Sequence, residues 1–360
     1  GLHVMLYSDN VSLESEIALK QQAHAQGLLL MGPDCGTAIL DGVGLGFANG
    51  VRRGPIGIVA ASGTGAQEIS CLIDRLGSGV SQLIGTGGRD LSPAVGGVMV
   101  MDGLRLLQAD PDTKVIVLVS KPPAPEVAYK VLAVAGSGGK PVVVCFLGGK
   151  ESLSMDDTAV KAVGLATGEA EAALYARLGY GGAVTPLPVG EGRRYVRGLF
   201  SGGTLCDQAL AILEGALGPV TCNVHHDPSH RGGAARSVGH TLVDMGDDEF
   251  TRGRPHPMID ATLRRMRLLE EAADPETAVL LLDIVLGHGA AADPAGSLAG
   301  AIREAVQRGV VVVASVSGTE ADPQGLSAQS ARLREAGAHV APTARRAAEV
   351  VAATLAGRRL

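Results

Sequence analysis

The 360-residue sequence contains no tryptophan, four phenylalanines and five tyrosines, so its core must consist of Val, Leu, Ile and Ala. So few aromatic rings leave little for stacking on nucleic-acid bases. The formal net charge is −6, and long runs of Lys and Arg are missing. Together these absences argue against a nucleic-acid partner.

Long apolar runs are also missing, since no stretch approaches the roughly eighteen residues that cross a bilayer. No signal peptide opens the chain, and it starts at Gly1 rather than Met, which suggests a missing N-terminus. The cysteines are odd in number and form no C-x-x-C pair, which fits a reducing compartment. The sequence therefore predicts a cytoplasmic protein without a membrane partner. The cysteines are Cys35, Cys71, Cys145, Cys206 and Cys222.

What the sequence does contain is a regular alternation of β-branched runs and amphipathic helical segments. PIGIVAA (55–61), VSQLIGTG (80–87), KVIVLVS (114–120) and KPVVVCFLGG (140–149) read as strands, and helical patterns such as SPAVGGVMVMDGLRLLQ separate them. Continuously apolar strands that alternate with helices are typical of a parallel sheet covered on both faces.

The second half repeats this plan. AASGTGAQE pairs with LFSGGTLCD, LIGTGGRD with LVDMGDDE, and VVVCFLGG with VVVASVSG. The sequence therefore predicts two tandem open α/β domains. Their predicted bounds are 51–150 and 191–360, with a helical linker at 151–190 and the closing strand–helix–strand of an earlier domain at 1–50.

Glycine-rich turns open the first helix of each half, and we interpret both as phosphate sites. Such turns direct backbone N–H groups and a helix dipole at an anion. Ser and Thr are also good N-caps, which is the alternative interpretation. Neither turn is a Walker A loop or a G-x-G-x-x-G fingerprint. The predicted phosphate-binding residues are Ser62, Gly63, Thr64, Gly65, Ser201, Gly202, Gly203 and Thr204.

The loop after the second strand of each half carries polar residues, at the sheet edge where ligands of open α/β folds bind. Arginines there suit carboxylates or phosphates, and acids with a histidine suit proton transfer or a cation. The alternative is a solvated loop with internal salt bridges. The predicted substrate-binding residues are Gly87, Gly88, Arg89 and Asp90, and the predicted catalytic residues are Asp247, Asp248, Glu249, Arg252, Arg254 and His256.

Two histidine-containing segments are weaker candidates. His288 lies in VLGHGAA and is either a phosphoryl acceptor, an acid–base group or a loop histidine without a special role. HHDPSH (225–230) resembles a metal site in composition, but no further ligands follow at zinc-like spacing. We therefore predict a polar surface loop there and no metal.

These motifs resemble a known superfamily. PIGIVAASGTGAQE resembles the ligase domain of the succinyl-CoA synthetase α subunit, and MGPDCG (31–36) resembles the turn that closes its CoA-binding domain. TLVDMGDDE and VLLLDIVLGHG resemble the β subunit's C-terminal domain. The fused order, with SGGTLCDQA and GDDEFTRGRPHPMID, is similar to the FdrA branch of the NDP-forming acyl-CoA synthetases. The resemblance implies two tandem flavodoxin-like domains after a remnant of a Rossmann CoA-binding domain.

The chain departs from that family in ways that bear on mechanism. The synthetases carry a phosphorylated histidine in a GHAGA loop, whereas the corresponding loop here reads KESLSMDDTAV, and no ATP-grasp domain is present. FdrA-type proteins are associated with oxamate carbamoyltransferase, which converts oxalurate and phosphate to oxamate and carbamoyl phosphate. The resemblance thus implies carbamoyl transfer with phosphate as co-substrate. The alternatives are an acyl-CoA ligase subunit and a non-catalytic scaffold.

Under the carbamoyltransferase hypothesis, Arg252 and Arg254 hold a carboxylate or the transferred group, and both helix starts bind phosphate. CoA is expected to bind only if the full N-terminal domain is present. The expected partners are other subunits of the same enzyme, or a second copy of the chain.

Overall fold

The computed structural model describes residues 1–148 and 152–356. It divides into two compact units, Gly1–Leu178 and Gly179–Leu360. Each contains one six-stranded sheet, and the first also contains a separate two-stranded pair.

The first unit alternates strands and helices from Arg53 onward. Its elements are β1 (Val4–Met5), α1 (Leu13–Ala25), β2 (Leu30–Met31), β3 (Thr37–Leu40), β4 (Val43–Gly46), β5 (Arg53–Ala60), α2 (Gly63–Arg75), β6 (Val80–Gly85), α3 (Val98–Ala109), β7 (Val115–Ser120), α4 (Pro125–Gly136), β8 (Val142–Phe146), α5 (Met155–Thr167) and α6 (Glu171–Arg177).

The six-stranded sheet of this unit has the order β4-β3-β6-β5-β7-β8. Strands β6, β5, β7 and β8 are parallel, and β3 pairs antiparallel with β4 and β6. On β7, Ile116 and Leu118 pack in a core with α3 and α4, while Val117 and Val119 point to the opposite face and are equally buried. Both faces of the sheet are therefore covered, as the continuous apolar strands indicated.

Three predicted boundaries in this unit can be compared with the structure. Within residues 1–50, β1, α1 and β2 form the expected strand–helix–strand with a separate two-stranded sheet, whereas β3 and β4 extend the six-stranded sheet of the first unit. The helices predicted as a linker at 151–190 also belong to the first unit, where α5 packs on α2 and α6 packs on α5. The helix predicted from residue 92 begins only at Val98, because Gly96 and Gly97 adopt φ of +77° in a turn before it.

The second unit has the same plan with one more parallel strand at its far edge. Its elements are β9 (Tyr195–Phe200), α7 (Gly203–Leu217), β10 (Thr221–Cys222), β11 (Thr241–Asp244), α8 (Asp248–Thr251), α9 (Thr262–Ala273), β12 (Thr277–Val285), α10 (Pro294–Gln307), β13 (Val311–Ser317), α11 (Leu326–Glu335), β14 (His339–Ala341) and α12 (Ala344–Leu355).

All six strands of the second sheet are parallel, in the order β10-β11-β9-β12-β13-β14. Numbered within the unit and without β10, this order is 2-1-3-4-5, the flavodoxin-type arrangement. The first sheet contains the same order over its four parallel strands, β6-β5-β7-β8. The predicted α/β class with two open, mainly parallel sheets is confirmed. No helix in the described ranges has the length and apolarity needed to cross a membrane.

Candidate functional site

The strand order defines where a ligand is expected in each unit. In open α/β sheets, ligands bind at the carboxyl ends of the strands, where successive connections leave on opposite faces. That point lies between β5 and β7 in the first sheet and between β9 and β12 in the second. Helices α2 and α7 begin directly after β5 and β9, so their N-termini lie at these two points.

The first helix start presents backbone donors. Ser62 is the N-cap of α2, and its Oγ accepts the N–H of Gly65 at 3.1 Å. Gly63 is exposed, and an added Cβ there would meet nothing within 4 Å. Among the described residues, no acceptor bonds the N–H of Gly63 or Thr64. The two donors and the positive end of the helix are therefore available to an anion.

The second helix start is filled by the chain itself. The carboxylate of Asp283, fully buried on β12, accepts the N–H of Ser201 at 2.8 Å and that of Gly202 at 3.0 Å. It also accepts the hydroxyl of Ser201 at 3.1 Å. An internal carboxylate therefore occupies the donors of Ser201 and Gly202, for which phosphate binding stays a prediction. Phosphate binding by Gly203 and Thr204 stays a prediction.

Arg264 of α9 balances the charge of that carboxylate. Its guanidinium donates to Asp283 Oδ1 at 2.6 Å and to the carbonyl of Leu199 at 2.6 Å, and it is buried. Burial lowers the pKa of Arg264, and the Asp283 charge opposes that effect. Because an unpaired buried charge is strongly destabilising, the two side chains form a single structural unit.

The structure also corrects the pairing of the two motifs. Ala60 is the last residue of β5, and Phe200 is the last residue of β9. The carbonyl of each accepts the N–H of the residue that directly follows the neighbouring strand, which is β6 or β11. In both units the next helix, α2 or α7, begins three residues after this last strand residue. Ser62 therefore corresponds in position to Gly202. The alignment of the two sequence motifs had matched it with Ser201, which is one residue away.

In the loop after β6, two predicted substrate residues serve a buried ion network. Asp90 is fully buried, its Oδ1 is 2.7 Å from Lys20 Nζ, and its Oδ2 accepts the N–H of Val100 in α3. Arg89 Nε is 2.8 Å from the buried Glu16 of α1. Burial raises the pKa of Asp90, and Lys20 opposes that effect. The carboxylate of Asp90 thus anchors α1 and α3, and its substrate role stays a prediction.

The glycines of the loop after β6 are explained by how closely other parts of the chain approach them. Gly87 adopts φ of +83°, and a Cβ there would lie 2.0 Å from the carbonyl oxygen of Pro33. A Cβ on Gly88 would lie 3.4 Å from Asp34 Oδ2. Gly87 thus allows close approach to the chain before β3, while its substrate role and that of Gly88 stay predictions.

The charged loop after β11 faces solvent over most of its length. Asp247 is the N-cap of the short helix α8, and its Oδ1 accepts the N–H of Glu249 at 3.0 Å. In the described parts of the chain, no salt bridge involves the side chains of this loop's acids and arginines. Four of them are exposed: Asp248, Glu249, Arg252 and Arg254.

His256, at the end of this loop, returns to the second helix start. Its Nδ1 accepts the N–H of Met258 at 3.2 Å, so the neutral ring carries its proton on Nε2. A Cβ on Gly246 would lie 2.8 Å from that Nε2 and 2.9 Å from the carbonyl oxygen of Ser201. Burial lowers the pKa of His256, with Asp283 opposing. The structure therefore brings together His256 and Ser201 but leaves Arg252 and Arg254 in solvent.

The remaining histidine candidates differ from one another. His288 is exposed, and Gln324 fixes the loop beside it by bonds to the N–H and carbonyl of Gly287. In HHDPSH, His225 is buried, and its Nε2 lies 3.1 Å from Glu214 of α7. The segment is thus only partly the polar surface loop that we predicted.

Sequence reasoning missed three residues that organise the second unit: Asp283, Arg264 and Glu214. The signal for Asp283 was present, because it is the single acid in the apolar strand segment AVLLLDIVL. A charge at such a position must be paired or hydrogen-bonded. Its partner Arg264 and the histidine partner Glu214 lie on other elements, which spacing along the chain does not reveal.

Two family models match the units just described. The model of the CoA binding domain matches residues 52–148, and the model described as CoA-ligase matches residues 199–354. The chain therefore contains one CoA-binding-type and one CoA-ligase-type region, and these matches support the superfamily of succinyl-CoA synthetase and other NDP-forming acyl-CoA synthetases. The CoA-binding match falls on the region that we predicted as the first ligase-like domain.

Among curated proteins, the chain is 49% identical to the uncharacterized protein YahF of Escherichia coli, over 93% of this chain and 69% of YahF. The chain belongs to the same family as YahF. It is also 30% identical to the ADP-forming sulfoacetate-CoA ligase subunit SqwL of an Acholeplasma species, over 41% of this chain and 50% of SqwL.

The chain spans half or less of the CoA ligase subunits it matches. For the α 2 subunit of the ADP-forming succinate–CoA ligase of Archaeoglobus fulgidus, the match is 28% identical and covers 33% of this chain and 41% of that subunit. A solved dinucleotide-forming acetyl-coenzyme A synthetase 1 of Ca. Korarchaeum cryptofilum shares 16% identity, with 99% of this chain and 77% of that one covered at a TM-score of 0.34. At that score the likeness adds nothing to the fold that the two sheets define.

Proposed function

We propose that this chain is part of an NDP-forming acyl-CoA synthetase that joins CoA to a small carboxylic acid. The observation that carries the proposal is the available helix start at Ser62–Gly65, which lies inside the region matched by the CoA-binding model. We place a phosphate or acyl-phosphate oxyanion there, held by the N–H groups of Gly63 and Thr64. CoA is then a ligand of the described first unit and does not require a longer N-terminal domain.

CoA ligation ranks ahead of the carbamoyl transfer implied by the FdrA resemblance. Both family models and the named ligase subunits concern CoA chemistry, and none of them supports a carbamoyl group. The similarity to the FdrA branch rests on the fused order and on the SGGTLCDQA and GDDEFTRGRPHPMID motifs. Carbamoyl transfer and a scaffold role are therefore the outcomes against which the ligase proposal is tested.

The charged loop is proposed to receive the carboxylic acid. Arg252 and Arg254 are exposed and carry guanidinium forks that match a carboxylate, so they suit capture of an acid from solvent. His256 carries its ring proton on Nε2, on the side of Gly246 and the second helix start. We assign it proton transfer, while Asp247, Asp248 and Glu249 position the loop.

Nucleotide chemistry is assigned to a partner subunit. The histidine loop of the synthetases reads KESLSMDDTAV here. Part of that loop lies outside the described residues. We propose a hetero-oligomer in which the partner supplies the nucleotide site.

The direct test is titration of the protein with inorganic phosphate and with CoA, followed by calorimetry. Gly63→Pro removes one N–H at the first helical position, where proline is well tolerated. A hydrogen bond to a charged group contributes roughly 1.5–3 kcal/mol, so affinity should fall about tenfold or more. Gly63→Ala keeps the N–H and meets open space, so its affinity should match wild type.

Gly203→Pro is the matched change in the second unit. There Asp283 already occupies the helix start, so phosphate and CoA affinity should be unchanged. Equal binding by wild type and Gly63→Pro would refute the anion site at α2.

Activity separates the three functions. The protein with its co-expressed partner subunits is supplied either with CoA, nucleotide and a carboxylic acid, or with oxalurate and phosphate. The ligase proposal requires acyl-CoA in the first mixture and a lower rate for Arg254→Ala. Carbamoyl phosphate in the second mixture would restore carbamoyl transfer, and no product in either would favour the scaffold.

A further inference from the structure

The HHDPSH segment contains a side-chain cluster that the proposed function does not use. Three potential metal-ligand atoms, one each from Glu214, His225 and His230, lie within 4.8 Å of one another. Glu214 comes from α7, eleven residues before the first histidine, so the cluster joins a helix to the loop after β10. That upstream carboxylate is the third ligand that the search for downstream zinc-like spacing missed.

The distances suit a small cation. Glu214 Oε1 lies 3.1 Å from His225 Nε2 and 3.7 Å from His230 Nδ1. Ligands at about 2.0–2.2 Å from a tetrahedral ion are separated by roughly 3.3–3.6 Å. The two carboxylate–imidazole distances bracket that range, so small side-chain shifts place all three atoms around one ion.

The donor set and its exposure indicate the class of ion. Two imidazoles and one carboxylate form a set used by zinc sites that keep a position for water. His225 is buried, while the side chains of Glu214 and His230 are 32% and 38% exposed. The ion would therefore be held from inside and would keep solvent on its outer side.

We propose that Glu214, His225 and His230 bind one divalent transition-metal ion, of which Zn²⁺ is the representative. The proposal is independent of the CoA ligase assignment. The ion would fasten α7 to the 225–230 segment, whose backbone Arg231 already holds through a 2.6 Å bond from Nε to the carbonyl of His225.

The proton on His225 limits the affinity. His225 Nδ1 accepts the N–H of Asp227 at 2.9 Å, so in the metal-free protein the ring proton lies on Nε2 and points to Glu214. Metal binding at Nε2 moves that proton to Nδ1 and breaks the Asp227 bond. The loss of one neutral hydrogen bond weakens binding by about tenfold relative to a site without that conflict.

The test is calorimetric titration of the full chain with ZnCl₂, with Glu214→Gln and His230→Gln as the site variants. Each should lower Zn²⁺ affinity at least tenfold from a wild type that binds one ion per chain. His226→Gln is the matched control, because His226 is exposed, belongs to the same segment and lies outside the cluster. Zn²⁺ should raise the melting temperature of wild type and of His226→Gln but not that of Glu214→Gln.

Three results would overturn the proposal. They are no saturable binding to wild type, unchanged binding in Glu214→Gln and His230→Gln, and loss of binding in His226→Gln. Circular dichroism of each variant separates a lost ligand from a lost fold. Binding that survives both site variants would be assigned to exposed histidines or to the buried Cys206 and Cys222 thiols, which lie 3.8 Å apart.

Discussion

The two units open their first helix at the same place in the same strand order, yet they stabilise it differently. In the first, the N–H of Ala61 bonds the backbone carbonyl of Val119 on the neighbouring strand, and Ser62 caps α2. In the second, the N–H of Ser201 bonds the side chain of Asp283, which lies one residue beyond the Leu282 partner of β9. The residue opposite the strand end is apolar in one unit and charged in the other.

This difference shows that a repeated motif need not repeat a binding site. Glycine and serine residues occur at both helix starts, but the second start already binds the carboxylate of Asp283, which is part of the protein. A ligand anion at the N–H groups of Ser201 and Gly202 would have to displace Asp283, which also accepts a bond from Arg264. At the first start, no acceptor among the described residues bonds the N–H of Gly63 or Thr64.

The largest expected effect follows from breaking the charge pair of the second unit. Arg264→Leu leaves the Asp283 carboxylate buried without its counterion, which should reduce the free energy of unfolding by about 3–5 kcal/mol. Urea denaturation followed by hydrogen exchange, which resolves the second unit from the first, measures this loss. An unchanged midpoint would show that Arg264 does not compensate Asp283.

The double variant Arg264→Leu with Asp283→Val sharpens the comparison, because it imports the apolar residue of the first unit. The N–H of Ser201 could then bond the strand carbonyl, as Ala61 bonds that of Val119 at 3.0 Å. The double variant should be more stable than Arg264→Leu alone, since apolar replacement of a buried pair is often close to neutral. Simple addition of two losses would contradict this explanation.

The sequence was sufficient for the parts of the fold that local pattern dictates. Strands β5, β7 and β12 contain long apolar runs, so their positions were readable from the sequence. Short edge strands were missed: β10 has two residues and β14 has three. Such segments are strands because a neighbour offers hydrogen bonds, which is a property of the sheet and not of the segment.

The site was less predictable than the fold, for a physical reason. We selected side chains at the helix starts by their chemistry and their position in the sequence. Their function, however, depends on which side chains of other elements face them in the folded protein. Asp90 and Asp283 are both acids near the sheet edge, and both are held by cations from distant helices, Lys20 and Arg264. No spacing rule along the chain indicates those partners.

A smaller effect is expected from the cap of the first helix. Ser62→Ala removes the acceptor for the N–H of Gly65 and should cost about 1 kcal/mol. Ser62→Gly installs the residue type that caps α7 and should cost only a few tenths of a kcal/mol. Urea denaturation of the first unit distinguishes the two variants. Equal losses would mean that Ser62 acts through contacts other than its cap.

The last prediction uses pH to distinguish the second unit. Burial lowers the pKa of His256 below its usual 6.5, so between those values the unfolded chain binds more protons than the folded one. With respect to His256, the free energy of unfolding therefore has its full value above pH 6.5. It decreases as the pH falls from 6.5 toward the pKa of His256 in the folded protein. His256→Gln should reduce this slope in urea titrations at several pH values. Some slope should remain, because burial and Arg197 also lower the pKa of His240. Asp283 opposes the lowering of the His256 pKa. The double variant Asp283→Val with Arg264→Leu should therefore show a steeper dependence of the free energy of unfolding on pH. A flatter dependence would contradict the electrostatic link between the charged loop and the second helix start.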